Sequence, residues 1–94
     1  MAWTWDPGKA KANRAKHGLS FETAVLVFDD PLHASKSDTH PDGDRWHTIG
    51  LVEEVLLLVV HTWPEETEEG ELAGRIISAR KATAHERKAY EGSF

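Results

Sequence analysis

The sequence predicts one α+β domain, in which a short N-terminal strand and a three-strand meander form a small antiparallel sheet with two helices before the meander and one after it. Three observations carry this reading. The run Val55 to Val60 is apolar on both faces, as a central strand must be. Helix-starting chemistry stands at Asp6-Pro7, at Ser20 and at Thr83-Ala84-His85-Glu86. A chain of 94 residues with 39% apolar content suits a single core, so one domain over residues 1–94 is expected.

Trp3 and Trp5 alternate with Ala2 and Thr4 at the period of a half-buried strand, which Asp6-Pro7 breaks. Asp6 can accept from the free amides of a first turn, and Gly18 suits the left-handed residue after a last turn, so the first helix spans about 7–17. Ser20 caps a second helix whose apolar residues Phe21, Ala24, Val25 and Phe28 share a face until Asp29-Asp30-Pro31 stops it. Residues 31–44 show no period and read as a surface loop. Strands follow over Arg45–Val52 and Val55–Trp63, joined at Glu53-Glu54. Pro64 to Ala73 reads as an acidic loop, and Arg75 to Lys81 as the last strand. Thr83 and Glu86 match a capping box, which starts a third helix reaching about Glu91.

The net charge of −5 opposes nucleic-acid binding when taken alone, because phosphate contacts depend on Lys and Arg. The distribution says otherwise. Lys9, Lys11, Arg14 and Lys16 form one cluster, and Arg75, Arg80, Lys81, Arg87 and Lys88 form another. Only Lys36 and Arg45 relieve the acidic stretch from Glu22 to Glu71, so the basic ends are expected to converge on one face of a dipolar molecule. The chain has no Cys, which excludes disulfides, a thiolate nucleophile and Cys-ligated zinc. No basic-then-apolar leader opens the chain, and no stretch approaches the ~18 apolar residues of a membrane helix, so a cytoplasmic protein without a membrane partner is expected.

The segment Trp5-Asp6-Pro7-Gly8-Lys9-Ala10-Lys11-Ala12-Asn13-Arg14-Ala15-Lys16-His17-Gly18-Leu19-Ser20-Phe21-Glu22 resembles the opening signature of the BrnT family of toxin–antitoxin systems. Val27-Phe28-Asp29-Asp30-Pro31, Arg45-Trp46 with Thr48-Ile49-Gly50, Val59-Val60-His61-Thr62 and Arg75 to Ala82 are similar to the family's later blocks, in order. The resemblance covers nearly the whole chain. It implies a RelE-like fold, ribonuclease activity that stops translation, and a cognate ribbon-helix-helix antitoxin of the BrnA kind. It also implies that toxin and antitoxin together repress their own promoter, with operator DNA contacted only through the antitoxin. One departure is local: Trp63-Pro64 and the acidic loop stand where the family has a short turn.

Cutting RNA without a metal requires a base for the 2′-hydroxyl proton, cations for the phosphate and an acid for the leaving oxygen. His17 can serve as base or acid, although a His just before a helix-ending Gly also suits simple capping. Arg45 is a candidate phosphate ligand, sharing a strand face with His47 beside Thr62, or else an edge residue paired with Asp42 or Asp44. Arg75 and Arg80 differ by an odd number, so on a regular strand only one faces a shared site; Arg80, beside Lys81 and the start of the last helix, is preferred. Lys9, Lys16, Arg75 and Lys81 extend a phosphate track or are plain solubilising charge.

His61 reads as a core or interface histidine, and Tyr90 as packing. Asp38-x-His40-x-Asp42-Gly43-Asp44 faintly suggests a calcium loop, but Ile49 stands where the bidentate Glu belongs; His85-Glu86 lacks a second His four residues on. No metal or cofactor is expected. The reading is therefore a metal-independent ribonuclease toxin whose antitoxin covers the cationic surface. The alternatives are a non-catalytic nucleic-acid or protein-binding module and an inactive toxin kept as co-repressor.

Overall fold

The first helix, α1 (Pro7–His17), begins because the Asp6 carboxylate accepts the Lys9 amide at 2.9 Å, and it ends because Gly18 turns left-handed at φ 71°. The structure is a computed structural model and describes residues 1–38 and 43–92. Before α1 lies β1 (Ala2–Thr4), and after it α2 (Phe21–Ala24), which tightens into a 3-10 turn over Val25–Asp29. Then come β2 (Ala34–Ser37), β3 (Trp46–Val52), β4 (Val55–His61), β5 (Glu65–Glu66), β6 (Leu72–Lys81) and α3 (Ala84–Glu91).

These elements form an α+β domain around a sheet of order β1-β6-β4-β3-β2, with β5 paired to β6. Four details differ from the sequence reading. The sheet is mixed, because β1 pairs with β6 in parallel, Trp3 opposite Gly74. Alternation reveals a strand but not the direction of its neighbour. Residues 34–37 form an edge strand against β3 rather than a loop; all four are exposed, so no apolar pattern marked them. The acidic stretch contributes β5, and the last strand starts at Leu72 rather than Arg75. Finally, the second helix changes pitch. Phe21, Ala24 and Val27 are fully buried at a spacing of three, which a 3-10 turn keeps on one line where 3.6 residues per turn would not. Val27 sits so close to Gly50 that a Cβ there would come within 2.7 Å of the Val27 carbonyl oxygen.

The core lies between α2 and one sheet face, where Phe21, Ala24 and Val27 meet Val52, Leu57, Val59, Ile76 and Ala79. The other face carries α3, held from beneath by Tyr90, whose hydroxyl donates to Asp30 Oδ2 at 2.6 Å. That bond pushes the Tyr90 phenol up to about 12, chiefly because the phenolate would face the Asp30 carboxylate it now donates to.

Past Arg75 the outer edge of β6 has no partner strand among the described residues, since β1 ends at Thr4. Asn13 supplies the missing partner: its Nδ2 donates to the Ala79 carbonyl at 2.9 Å, and its Oδ1 accepts the Ala79 amide at 3.1 Å. The bond is buried, so it fixes how α1 lies on the sheet.

Two stability outcomes follow from these contacts. Asn13→Ala leaves the Ala79 amide and carbonyl without partners and should cost about 2–3 kcal/mol in urea unfolding; a smaller loss than about 1 kcal/mol would show that water replaces the amide. Glu53 and Glu54 both sit at positive φ, 48° and 72°, in the two-residue turn joining β3 to β4. Such a turn favours Asn-Gly, so Glu53→Asn combined with Glu54→Gly should stabilise by about 1 kcal/mol, read as a raised urea midpoint at unchanged slope.

Candidate functional site

Arg80 stands where two grooves approach each other. Partners across an antiparallel pair share a face, so Arg80, opposite Leu58, and Ser78, opposite Val60, face α3, whereas Ile76, opposite His61, faces the core. Ile77 is therefore an extra residue, a β-bulge that reverses the alternation between the two ends of β6. Arg75, next to Ile76, consequently shares the α3 side with Arg80, contrary to the opposite faces expected of a regular strand. Lys81, opposite Leu57, lies on the core side and is exposed.

The first groove, about 430 Å³, runs along the β6 edge and is lined by Lys9, Asn13, Lys16 and His17 of α1 with Ser78 and Arg80 of β6. Residues more than 60 positions apart are brought together there because the Asn13 amide seats α1 on Ala79. The second groove, about 390 Å³, lies between α3 and the sheet face, with Lys36, His47, Ile49, Leu58, His85 and Glu86 among its walls. In it His47 Nε2 lies 3.1 Å from Asp38 Oδ2, so a carboxylate orients the imidazole.

Arg80 is held in place by Glu86. Its Nη1 donates to Oε1 at 2.7 Å and its Nη2 to Oε2 at 2.9 Å, a bidentate pair. The same carboxylate accepts the Thr83 amide at 2.8 Å while Thr83 Oγ1 accepts the Glu86 amide, which completes the capping box of α3. The hydrogen bond from Arg80 is the main reason that the Glu86 carboxyl falls to about 2, and Glu86 in turn raises the guanidinium. Glu86 is thus an anion at neutral pH and no proton donor. Arg80 Nε and one Nη2 hydrogen make no hydrogen bond among the described residues, and its side chain is 38% exposed, which leaves donors for a phosphate.

His61 is occupied elsewhere. It is 1% exposed, stacked edge-on against Trp3 and Phe28 on the core side. Its Nδ1 faces the Thr62 carbonyl at 2.7 Å and so carries the proton; Nε2 accepts from Thr48 Oγ1 at 2.6 Å, and Thr48 accepts from Ser35 at 2.7 Å. Burial lowers its pKa, and it remains neutral.

Of the candidate residues, Lys9, Lys16, His17 and Arg80 share one groove. Arg45 precedes β3, its carbonyl accepting the Asp38 amide at 2.8 Å; Arg45, Arg75 and Lys81 line neither groove. The Asp42 suggested for Arg45, and His40 and Asp42 of the calcium-like stretch, lie outside the described residues. Among the described residues no three His, Asp or Glu side chains converge as a metal site requires. The Asn13–Ala79, Arg80–Glu86 and Asp38–His47 pairings carry no pattern in the sequence. Glu86 alone had a signal, the capping box, but that motif does not announce an Arg partner.

Residues 5–86 match a family model described as ribonuclease toxin, BrnT, of type II toxin-antitoxin system. No curated protein matches the sequence. No helix is long and apolar enough to cross a membrane.

The Arg80–Glu86 pair has a pH signature. A carboxyl lowered by folding adds stability that is complete above its ordinary value of 4.5 and is lost as pH falls toward about 2. Glu86→Gln keeps the capping box but removes the charge. The stability difference between wild type and this variant should shrink as pH falls from about 5 to about 2, followed by chemical unfolding; a constant difference would show that the ion pair adds nothing.

Proposed function

Because the chain belongs to the BrnT family of ribonuclease toxins of type II toxin–antitoxin systems, we propose that it is a metal-independent endoribonuclease acting in the cytoplasm to stop translation. In this reading the fold is of the RelE kind, a ribbon-helix-helix antitoxin neutralises it, and the pair represses its own promoter. The supporting observation is the single groove that gathers Lys9, Lys16, His17 and Arg80.

The phosphate lies against Arg80, with Lys9 and Lys16 compensating charge along the backbone. His17 takes the proton from the 2′-hydroxyl, whose oxygen attacks the neighbouring phosphorus. The bond to the 5′ oxygen breaks, that oxygen takes up a proton, and a 2′,3′-cyclic phosphate and a 5′-hydroxyl remain. Arg80, pre-set by Glu86, stabilises the extra charge on the phosphorane. Arg45, Arg75 and Lys81 act as outer contacts to RNA. His47, oriented by Asp38, is the second candidate for acid or base.

A non-catalytic co-repressor is favoured by one observation: Glu86 already holds the Arg80 guanidinium. RNA cleavage in excess chelator separates the readings. Wild type should degrade RNA there, Arg80→Ala should lose at least about 100-fold, and His17→Ala about 100-fold. Loss in His47→Ala instead moves the chemistry to the sheet face. Activity abolished by EDTA and restored by a divalent ion defeats the metal-independent mechanism, and intact RNA throughout, with promoter repression kept, leaves the co-repressor.

A further inference from the structure

Part of the surface that shares no lining residue with the cationic groove is apolar and concave. Two hollows of about 260 and 370 Å³ adjoin there and share Met1, Trp3 and Phe28. The first is completed by His33, Trp63 and Leu72 among others, the second by Val25 and Leu26. Met1 is 60% exposed, Leu26 43%, Trp63 49% and Leu72 50%, which is a large apolar surface for a chain of this size.

The rim decides what fits. Glu65, Glu66, Glu68, Glu69 and Glu71 are all exposed in the stretch joining Trp63 to Leu72, and no Lys or Arg occurs between Arg45 and Arg75. Aromatic hollows can stack nucleobases, but a phosphate chain would be repelled by this hairpin, and neither hollow is lined by a Lys or Arg to replace its counterions. A second copy of this chain is disfavoured too, since a two-fold contact would bring the two acidic hairpins to the same interface.

We propose that this apolar, acid-rimmed surface anchors the antitoxin through an amphipathic segment whose apolar side chains enter the two hollows and whose flanking Lys or Arg residues meet the hairpin glutamates. The inference rests on the toxin–antitoxin reading and not on catalysis. The antitoxin is therefore held by a surface distinct from the groove proposed for RNA, and not by the cationic surface that the charge pattern of the sequence suggests. Charge across the rim speeds capture, and the apolar anchors set the lifetime of the complex.

The test uses the full chain and its cognate antitoxin. Leu26→Asp with Leu72→Asp should weaken antitoxin binding at least tenfold and leave RNA cleavage by free toxin unchanged. Glu68→Lys with Glu69→Lys, which alters no apolar residue, should slow association several-fold at low salt and less at high salt. Lys9→Ala with Lys16→Ala should change antitoxin affinity less than twofold. Unchanged antitoxin affinity in both of the first two variants overturns the proposal. So does loss of RNA binding in the Asp pair with antitoxin affinity kept, which would mark an RNA surface. A wild-type dimer that the Asp pair dissociates, again with antitoxin affinity kept, would mark a self-interface and overturn it equally.

Discussion

One side-chain amide sets the geometry of the candidate site. Beyond Arg75 the edge of β6 offers backbone groups that no strand pairs among the described residues, and at Ala79 the Asn13 amide meets both of them, one donor and one acceptor, out of water. A buried amide of this kind has little freedom to shift, because any displacement leaves two backbone groups without partners. The helix that carries Asn13 also carries Lys9, Lys16 and His17, so the same contact that closes the sheet edge brings these side chains to the groove that Arg80 lines.

The strand on the other wall is shaped by a single extra residue. Ile77 interrupts the ladder between β4 and β6, and the reversal places Arg75 and Arg80 on one side while Ile76 and Ala79 both reach the core. Glu86 then holds Arg80 by two short bonds while its own helix uses the same carboxylate as a cap. Side-chain entropy that an arginine would lose on meeting a phosphate is thereby already lost in the fold.

The two ends of the molecule are chemically opposite. Near Arg80 the surface is cationic and polar; near Trp63 and Leu72 it is apolar and bordered by carboxylates. Under the apolar surface the Ser35–Thr48–His61–Thr62 chain satisfies a buried histidine completely, and among the described residues no buried side-chain polar atom lacks a partner. Polar groups are left available at the surface, at the cationic end above all.

Local chemistry was written in the sequence. Asp6, Pro7 and Gly18 delimit α1, Thr83 and Glu86 start α3, and the apolar run of β4 marks the centre of the sheet, because caps and burial act within a few residues of where they are read. The family was legible too, since its motifs are local strings in a set order. Tertiary structure alone decided the rest. An edge strand of Ala34-Ser-Lys-Ser37 has no apolar pattern to betray it, and the direction of β1 depends on a partner some 70 residues away. The same holds for the Ile77 bulge, the Asn13–Ala79 contact and the pairing of Arg80 with Glu86. Each is a match between two segments, and neither segment contains the other half of the information.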